Sequence, residues 1–226
     1  MKKLTIAIDG PVGSGKGTLS VALAKKLNIL YLYTGGMYRA LTLASIRAGI
    51  DLHNEDEVLN LFKRSDISLT TTAGKTKIYL NSEEIGEKII DPSITNAAPI
   101  VAQHPKVREE MVRRQKAIVE GRSSVIEGRD ISSVVAPHAD VKIYLTADIK
   151  VRAERRLKQY KEKGIQKTFE EVLSETSERD RIDAITQSQF KTSGDIVTID
   201  TTNDAIDETV EKVIDILREK GLYDSN

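Results

Sequence analysis

The chain has 226 residues, no cysteine, and 34 lysines and arginines balanced by 34 aspartates and glutamates. That length suits one large domain with a substantial core, the missing thiols exclude disulfides, thiolate metal sites and a cysteine nucleophile, and the balanced charge argues against a general nucleic-acid surface. Aromatic residues make up only 4% and include no tryptophan, which leaves little stacking surface for single-stranded nucleic acid; no apolar run approaches the length that spans a bilayer, and the reading is a cytoplasmic protein.

Lys3 to Asp9 contains Leu4, Ile6, Ala7 and Ile8, the short apolar run of a parallel strand buried on both faces. The stretch Gly10-Pro11-Val12-Gly13-Ser14-Gly15-Lys16-Gly17-Thr18 follows, and from Thr18 to Leu27 apolar residues recur with the period of a helix lying on a sheet. Strand, glycine loop and helix in that order form a phosphate-binding loop, whose backbone N–H groups and helix N-terminus receive an anion. The usual pattern G-x-x-x-x-G-K-[ST] holds through Lys16, but Gly17 stands at the hydroxyl position and Thr18 comes one residue later.

Ile29 to Tyr33 predicts a second strand, ended by Thr34-Gly35-Gly36 before a helix from Met37 to Ala48. Arg39 then lies in the first helical turn, either within reach of an anionic ligand or as a solvated helix arginine. Residues 54–64 read as a short helix. A change to period two follows: Ile67 to Thr70, a turn at Ala73-Gly74-Lys75, and Thr76 to Leu80, extended by Glu84-Ile85, predict a small antiparallel insertion. Beyond Asp91-Pro92 come a short helix near Ser93 to Ala102 and a longer one from Lys106 to about Glu120, which carries Arg108. Core strands are expected at Ser124–Gly128, delivering Arg129-Asp130, at Val141–Leu145 and at Ile196–Asp200. Between the last two, the charged segment from Asp148 to Arg181 is helical by pattern and broken at Gly164. In it Arg152, Arg155 and Arg156 share one helix face. The final helix runs from Ala205 to Lys220. The fold class is α/β: a phosphate-loop, three-layer fold with a five-stranded parallel sheet, a small antiparallel insertion and a helical lid.

A phosphate loop alone serves ATP-driven machines, GTP switches and small-molecule kinases. No N-K-x-D-like guanine reader is present, and no D-x-x-G follows the Ser124–Gly128 strand. That strand ends in Gly128-Arg129-Asp130, and an arginine there favours a second anion. Two kinds of protein stay open on these grounds: a kinase acting on some small acceptor, and a regulatory module that holds ATP without turnover.

The loop form G-x-x-G-x-G-K-G-T resembles the nucleoside monophosphate kinases. Nearly the whole chain resembles the bacterial cytidylate kinases among them. The residues that carry the resemblance are Ile6 to Pro11, Thr34-Gly35-Gly36-Met37-Tyr38-Arg39, Asn96-Ala97-Ala98, Val107-Arg108-Glu109, Gly128-Arg129-Asp130, Arg152 to Arg156 and Glu178-Arg179-Asp180. The resemblance implies ATP-dependent phosphorylation of CMP and dCMP by a monomer of one kinase domain spanning 1–226: a core of about 1–62, 95–147 and 190–226, a nucleotide-binding insertion of about 63–94 and a lid of about 148–168.

It further implies that Gly10 through Thr18 hold ATP and that Lys16, Arg129, Arg152, Arg155 and Arg156 act on the transferring phosphoryl group. Thr34, Arg39, Arg108, Arg129, Asp130, Arg179 and Asp183 bind the acceptor, with Arg39 and Arg129 on its phosphate, Arg108 and Asp130 on cytosine, and Arg179 and Asp183 on the sugar. Spacing alone favours reading Arg179, Asp180, Arg181 and Asp183 as a salt-bridged helix face. No protein metal ligands are implied; magnesium comes with ATP. The partners are nucleotides, with neither nucleic acid nor membrane. The chain departs from the family pattern at Tyr33, where an aspartate is usual, at Pro99 for a serine, at Ser132-Ser133 for Gly-Thr, and at Thr186 for an arginine.

Overall fold

The computed structural model describes residues 3–72, 75–187 and 195–224, with the side chains at 72, 75 and 184–187 left aside. In chain order the elements are β1 (Thr5–Asp9), α1 (Lys16–Leu27), β2 (Leu30–Tyr33), α2 (Thr34–Arg47), α3 (Glu55–Arg64), β3 (Ile67–Thr72), β4 (Lys75–Leu80), β5 (Glu83–Glu84), α4 (Pro92–Gln103), α5 (Pro105–Val119), β6 (Ser124–Gly128), β7 (Val141–Thr146), α6 (Ile149–Glu162), α7 (Phe169–Gln187), β8 (Ile196–Asp200) and α8 (Ile206–Glu219). Five parallel strands form one sheet in the order β2-β6-β1-β7-β8, and β3-β4-β5 form a separate antiparallel sheet. The central place of β1 explains its composition: Ile6, Ala7 and Ile8 are fully buried, as a strand covered on both faces requires. Its register sets Ile6 opposite Val141 and Ile8 opposite Ile143, so Asp9 comes at the carboxyl edge where ligands enter such sheets.

The chain divides into two compact units, Met1–Leu23 with Val125–Asn226, and Ala24–Ser124. In the first, α8 buries Val210, Val213, Ile214 and Leu217 at helical spacing. The helices α6 and α7 have an apolar cluster of their own, Ala153, Tyr160 and Val172, flanked by Leu157, Ile165, Phe169 and Leu173. The expected break at Gly164 falls between these two helices.

In the second unit the helix starts are chemically marked. Asn54 accepts from the Glu57 amide at 3.2 Å to cap α3, Asp91 accepts from the Ser93 amide at 2.8 Å ahead of Pro92 in α4, and α5 opens on Pro105. The helix expected from Met37 starts earlier, at Thr34, because Gly35 and Gly36 form its first turn instead of a loop. The insertion is present, with Ile67 opposite Leu80 and Leu69 opposite Ile78; Ala73 and Gly74 of the expected turn lie outside the described residues. Among the described residues no helix is long and apolar enough to cross a membrane.

One arginine fixes α5, the helix carrying Arg108, against α3. Arg114 donates to the carbonyls of Phe62 and Ser65 at 2.8 Å each, so it satisfies the end of α3, and its guanidinium lies 4.1 Å from the Phe62 ring centroid. Glu110, one turn earlier on α5, pairs with it at 2.8 Å. Arg114→Met keeps the stem but removes these bonds, and should lower unfolding free energy by about 2 kcal/mol in a urea titration; a change below about 0.5 kcal/mol would mean α3 and α5 do not depend on it.

Candidate active site

In the first unit the site is built on the ends of β1 and β6. Asp9, only 3% exposed, accepts from the backbone amides of Ile131 (2.7 Å) and Ser132 (2.9 Å) and from the Ser132 hydroxyl (2.5 Å). A carboxylate so far from water is tolerated because donors replace its hydration. These bonds tie the segment after β6 to β1, and Arg129 then donates to the Gly10 carbonyl at 2.9 Å and to Asp183 at 2.5 Å. The Ile131–Val135 segment coils as one π-helical turn, which contains the Ser132-Ser133 pair. Asp130 lies beside Arg129 at the start of that turn.

The loop is shaped by close approach. Gly13 has φ +77°, and a Cβ there would come within 2.8 Å of the Arg152 carbonyl oxygen. Lys16 donates to the Pro11 carbonyl at 2.9 Å, so the ammonium lies across the loop. Its pKa is lowered to about 7, first by burial and then by the nearby Arg129 charge, with Glu127 and Asp183 acting in the opposite sense. The Ser14 hydroxyl is buried in the same loop with no hydrogen-bond partner among the described residues, as a group placed to meet a ligand oxygen would be.

Arg152, Arg155 and Arg156 sit on α6 as expected, yet they engage different partners. Arg152 is 6% exposed and forms a two-toothed pair with Asp180 at 3.0 and 2.6 Å, while also donating to the carbonyls of Val12 and Ala147. Arg155 donates to the hydroxyl and carbonyl of Thr201, whose hydroxyl donates to the Ser14 carbonyl at 3.0 Å. Arg156 donates to the Tyr160 hydroxyl at 2.9 Å and lies 4.0 Å from Glu175. Arg179 pairs with Asp183 at 3.2 Å within α7, whereas Arg181 pairs with Glu178 at 2.7 Å and Asp180 with Arg152 of α6, so the four residues do not share one ion-paired face.

In the second unit, Thr34 and Arg39 lie in the first two turns of α2. Thr34 is buried, and the Arg39 guanidinium lies 5.6 Å from the Tyr33 ring centroid. Arg108 of α5 hydrogen-bonds Tyr38, the neighbour of Arg39; burial raises the Tyr38 pKa, with the Arg108 charge pulling against it. The structure therefore brings the neighbourhoods of Arg39 and Arg108 together. Pro99 stands inside α4, and the Thr186 side chain lies outside the described residues.

The motifs include Asp9 and Asp180 without indicating what they bind, and Glu127 and Thr201 stand in none of them. For Asp9 a signal existed, an acid closing an apolar strand immediately before the glycine loop. Glu127 is buried at the end of β6, and a Cβ on Gly17 would lie 3.4 Å from one of its oxygens. Among the described residues no group of three or more His, Asp or Glu side chains gathers as a metal site. The donors fit magnesium carried in on a polyphosphate: Gly17 offers no hydroxyl, and Glu127 places a carboxylate beside it.

A family model described as cytidylate kinase matches residues 6–219. A cytidylate kinase of Bacillus subtilis (strain 168) is 39% identical over 97% of this chain and 99% of that protein. One from Enterococcus faecalis (strain ATCC 700802 / V583) is 40% identical, with 98% of each covered. In three dimensions, a gluconokinase from Sinorhizobium meliloti 1021 superposes with a TM-score of 0.50 at 12% identity, over 96% of this chain and 94% of that one, a likeness of fold alone.

The Lys16 environment has a measurable consequence. With a pKa of about 7 the free side chain is neutral at pH 8.5, and a bound polyphosphate favours its charged form. ATP binding without magnesium at pH 8.5 should take up about one proton, read by calorimetry in two buffers of different ionisation heat, and affinity should fall as pH rises above 7. Lys16→Arg, which stays charged, should abolish the uptake. No uptake by the parent protein would contradict the depressed pKa.

Proposed function

The chain belongs to the cytidylate kinase family, and we propose that it transfers the γ-phosphoryl group of ATP to CMP and dCMP. It is a nucleoside monophosphate kinase, a phosphotransferase. The observation that carries the reading is the loop of Gly10 through Thr18 with Arg129 hydrogen-bonded to its first carbonyl, in a chain about 40% identical to cytidylate kinases over nearly its full length.

In this reaction an oxygen of the acceptor phosphate bonds to the γ-phosphorus of ATP while the bond to the β–γ bridging oxygen breaks, giving a nucleoside diphosphate and ADP. The acceptor is largely dianionic at neutral pH, its second pKa being about 6, so no general base is needed. The barrier lies in bringing two anions together, and positioned positive charge lowers it. Gly10 through Thr18 would cradle the ATP phosphates, with Lys16 leaving the Pro11 carbonyl for them. Glu127 and Thr18 would help hold magnesium, which would supply neutralisation of phosphate charge when bound. Arg129 and Arg39 would bind the acceptor phosphate. Arg152, Arg155 and Arg156, on a lid of about 148–168, would surround the transferring group, Arg152 exchanging Asp180 for phosphate oxygens. The apolar cluster shared by α6 and α7 would carry α7 along with this lid as it moves. Arg108 and Asp130 would read cytosine, and Arg179 and Asp183 the sugar, alongside Thr34 on the acceptor. ATP and CMP are pools of the cytoplasm, and the protein would act there.

A panel of CMP, dCMP, UMP, AMP, GMP and gluconate assayed with magnesium and ATP tests this reading. CMP and dCMP should turn over, and CMP should exceed UMP in kcat/KM by roughly 10⁴, because uracil would leave buried polar groups unpaired. Lys16→Ala should cut kcat by at least about 10²-fold, and Asp130→Asn should narrow the CMP-to-UMP ratio, since an amide offers both donor and acceptor. Absence of transfer to CMP would leave a nucleotide-holding module or a kinase of another acceptor. An unchanged ratio would remove Asp130 from base reading.

A further inference from the structure

Tyr33 closes β2 and occupies the N-cap position of α2, yet its side chain makes no cap hydrogen bond. Its ring instead folds over the first helical turn. A Cβ on Gly36 would lie 2.5 Å from Tyr33 Cδ1 and 2.4 Å from Ile78 Cδ1, so the ring occupies space that exists only because residue 36 is glycine. Gly35 is similarly crowded, with a Cβ position 3.2 Å from Tyr33 Cε2. The Tyr31 ring lies nearly parallel, at 15° and 6.4 Å between centroids, and restrains it further. Arg39, at 5.6 Å, is within the roughly 6 Å over which an aromatic face attracts a guanidinium. A ring attracts the cation without a formal charge of its own.

We propose that Tyr33 is a positioning residue for the acceptor phosphate: its ring, seated in the space left by Gly36 beside Ile78, holds the Arg39 guanidinium in place without neutralising it. The proposal rests on the reading that Arg39 binds that phosphate. Tyr33, Gly36 and Arg39 thus act as one device, in which the glycine makes room for the ring and the ring orients the arginine.

The test compares kcat, KM for CMP and KM for ATP in the parent and in Tyr33→Leu, Tyr33→Phe, Gly36→Ala and Arg39→Ala. Loss of the ring should raise KM for CMP by about fivefold, leaving KM for ATP within about twofold, and phenylalanine should restore the parent value because it keeps the aromatic face. Gly36→Ala should reproduce the leucine phenotype although alanine is the better helix former, since its methyl displaces the ring. This variant reports on the device even if the leucine protein fails to fold. The combined Tyr33→Leu, Gly36→Ala protein should be no worse than either alone. An unchanged KM for CMP in Tyr33→Leu or Gly36→Ala, or equal impairment of the phenylalanine and leucine proteins, would overturn the proposal. If Arg39→Ala raises KM for CMP while Tyr33→Leu does not, only the positioning role fails. If Arg39→Ala itself leaves that KM unchanged, the acceptor role of Arg39 fails and the proposal falls with it.

Discussion

The unit that holds the glycine loop depends on one buried carboxylate. Asp9 ends the central strand with its charge removed from water, a state that is favourable only while donors surround it, and Ile131 and Ser132 supply three. Satisfying Asp9 therefore fixes where the chain goes after β6. Arg129, two residues before Ile131, is carried to the Gly10 carbonyl, so a cation stands against the entrance of the glycine loop. The phosphate loop and the arginine beside it are thus two outcomes of a single hydrogen-bonded junction.

Around that junction, positive charge is kept in place by neighbouring carboxylates and a loop carbonyl. Asp180 holds Arg152, Asp183 holds both Arg129 and Arg179, and the Pro11 carbonyl holds Lys16. Loop carbonyls of Gly10, Val12 and Ser14 are anchored by Arg129, Arg152 and Thr201 in turn, which turns the loop's outer face toward the scaffold. In the proposed reaction these donors are gathered beforehand and exchange partners as phosphate binds, before the charge of the transferring group moves. The depressed Lys16 pKa belongs to the same picture: cations gathered where solvent is excluded resist full protonation until an anion arrives.

Much of this was legible in the sequence, and what was not has physical reasons. The glycine loop, the apolar strand before it and the change to period two at Ile67 are local signals, and each produced the element expected. The start of the helix at Thr34 is hidden because Gly35-Gly36 carries the composition of a turn; these glycines serve instead to admit the Tyr33 ring. Asp9 acts on residues 122 and 123 positions away, and Thr201 reaches Ser14 across 187. Periodicity cannot see such pairs. The common face of Arg152, Arg155 and Arg156 followed from spacing, but their separate partners depend on α7 and on the end of β8, which no local pattern specifies.

The central role of Asp9 is open to direct measurement by amide hydrogen exchange in Asp9→Asn. The amide side chain keeps one acceptor oxygen and turns an NH₂ group toward the remaining donors, so the junction loses both charge and a partner. The account predicts that the Ile131 and Ser132 amides exchange about 30-fold faster or more, with Val58 and Phe62 of α3 unaffected. Parent-like protection at Ile131 and Ser132 would contradict the claim that this carboxylate holds the site together.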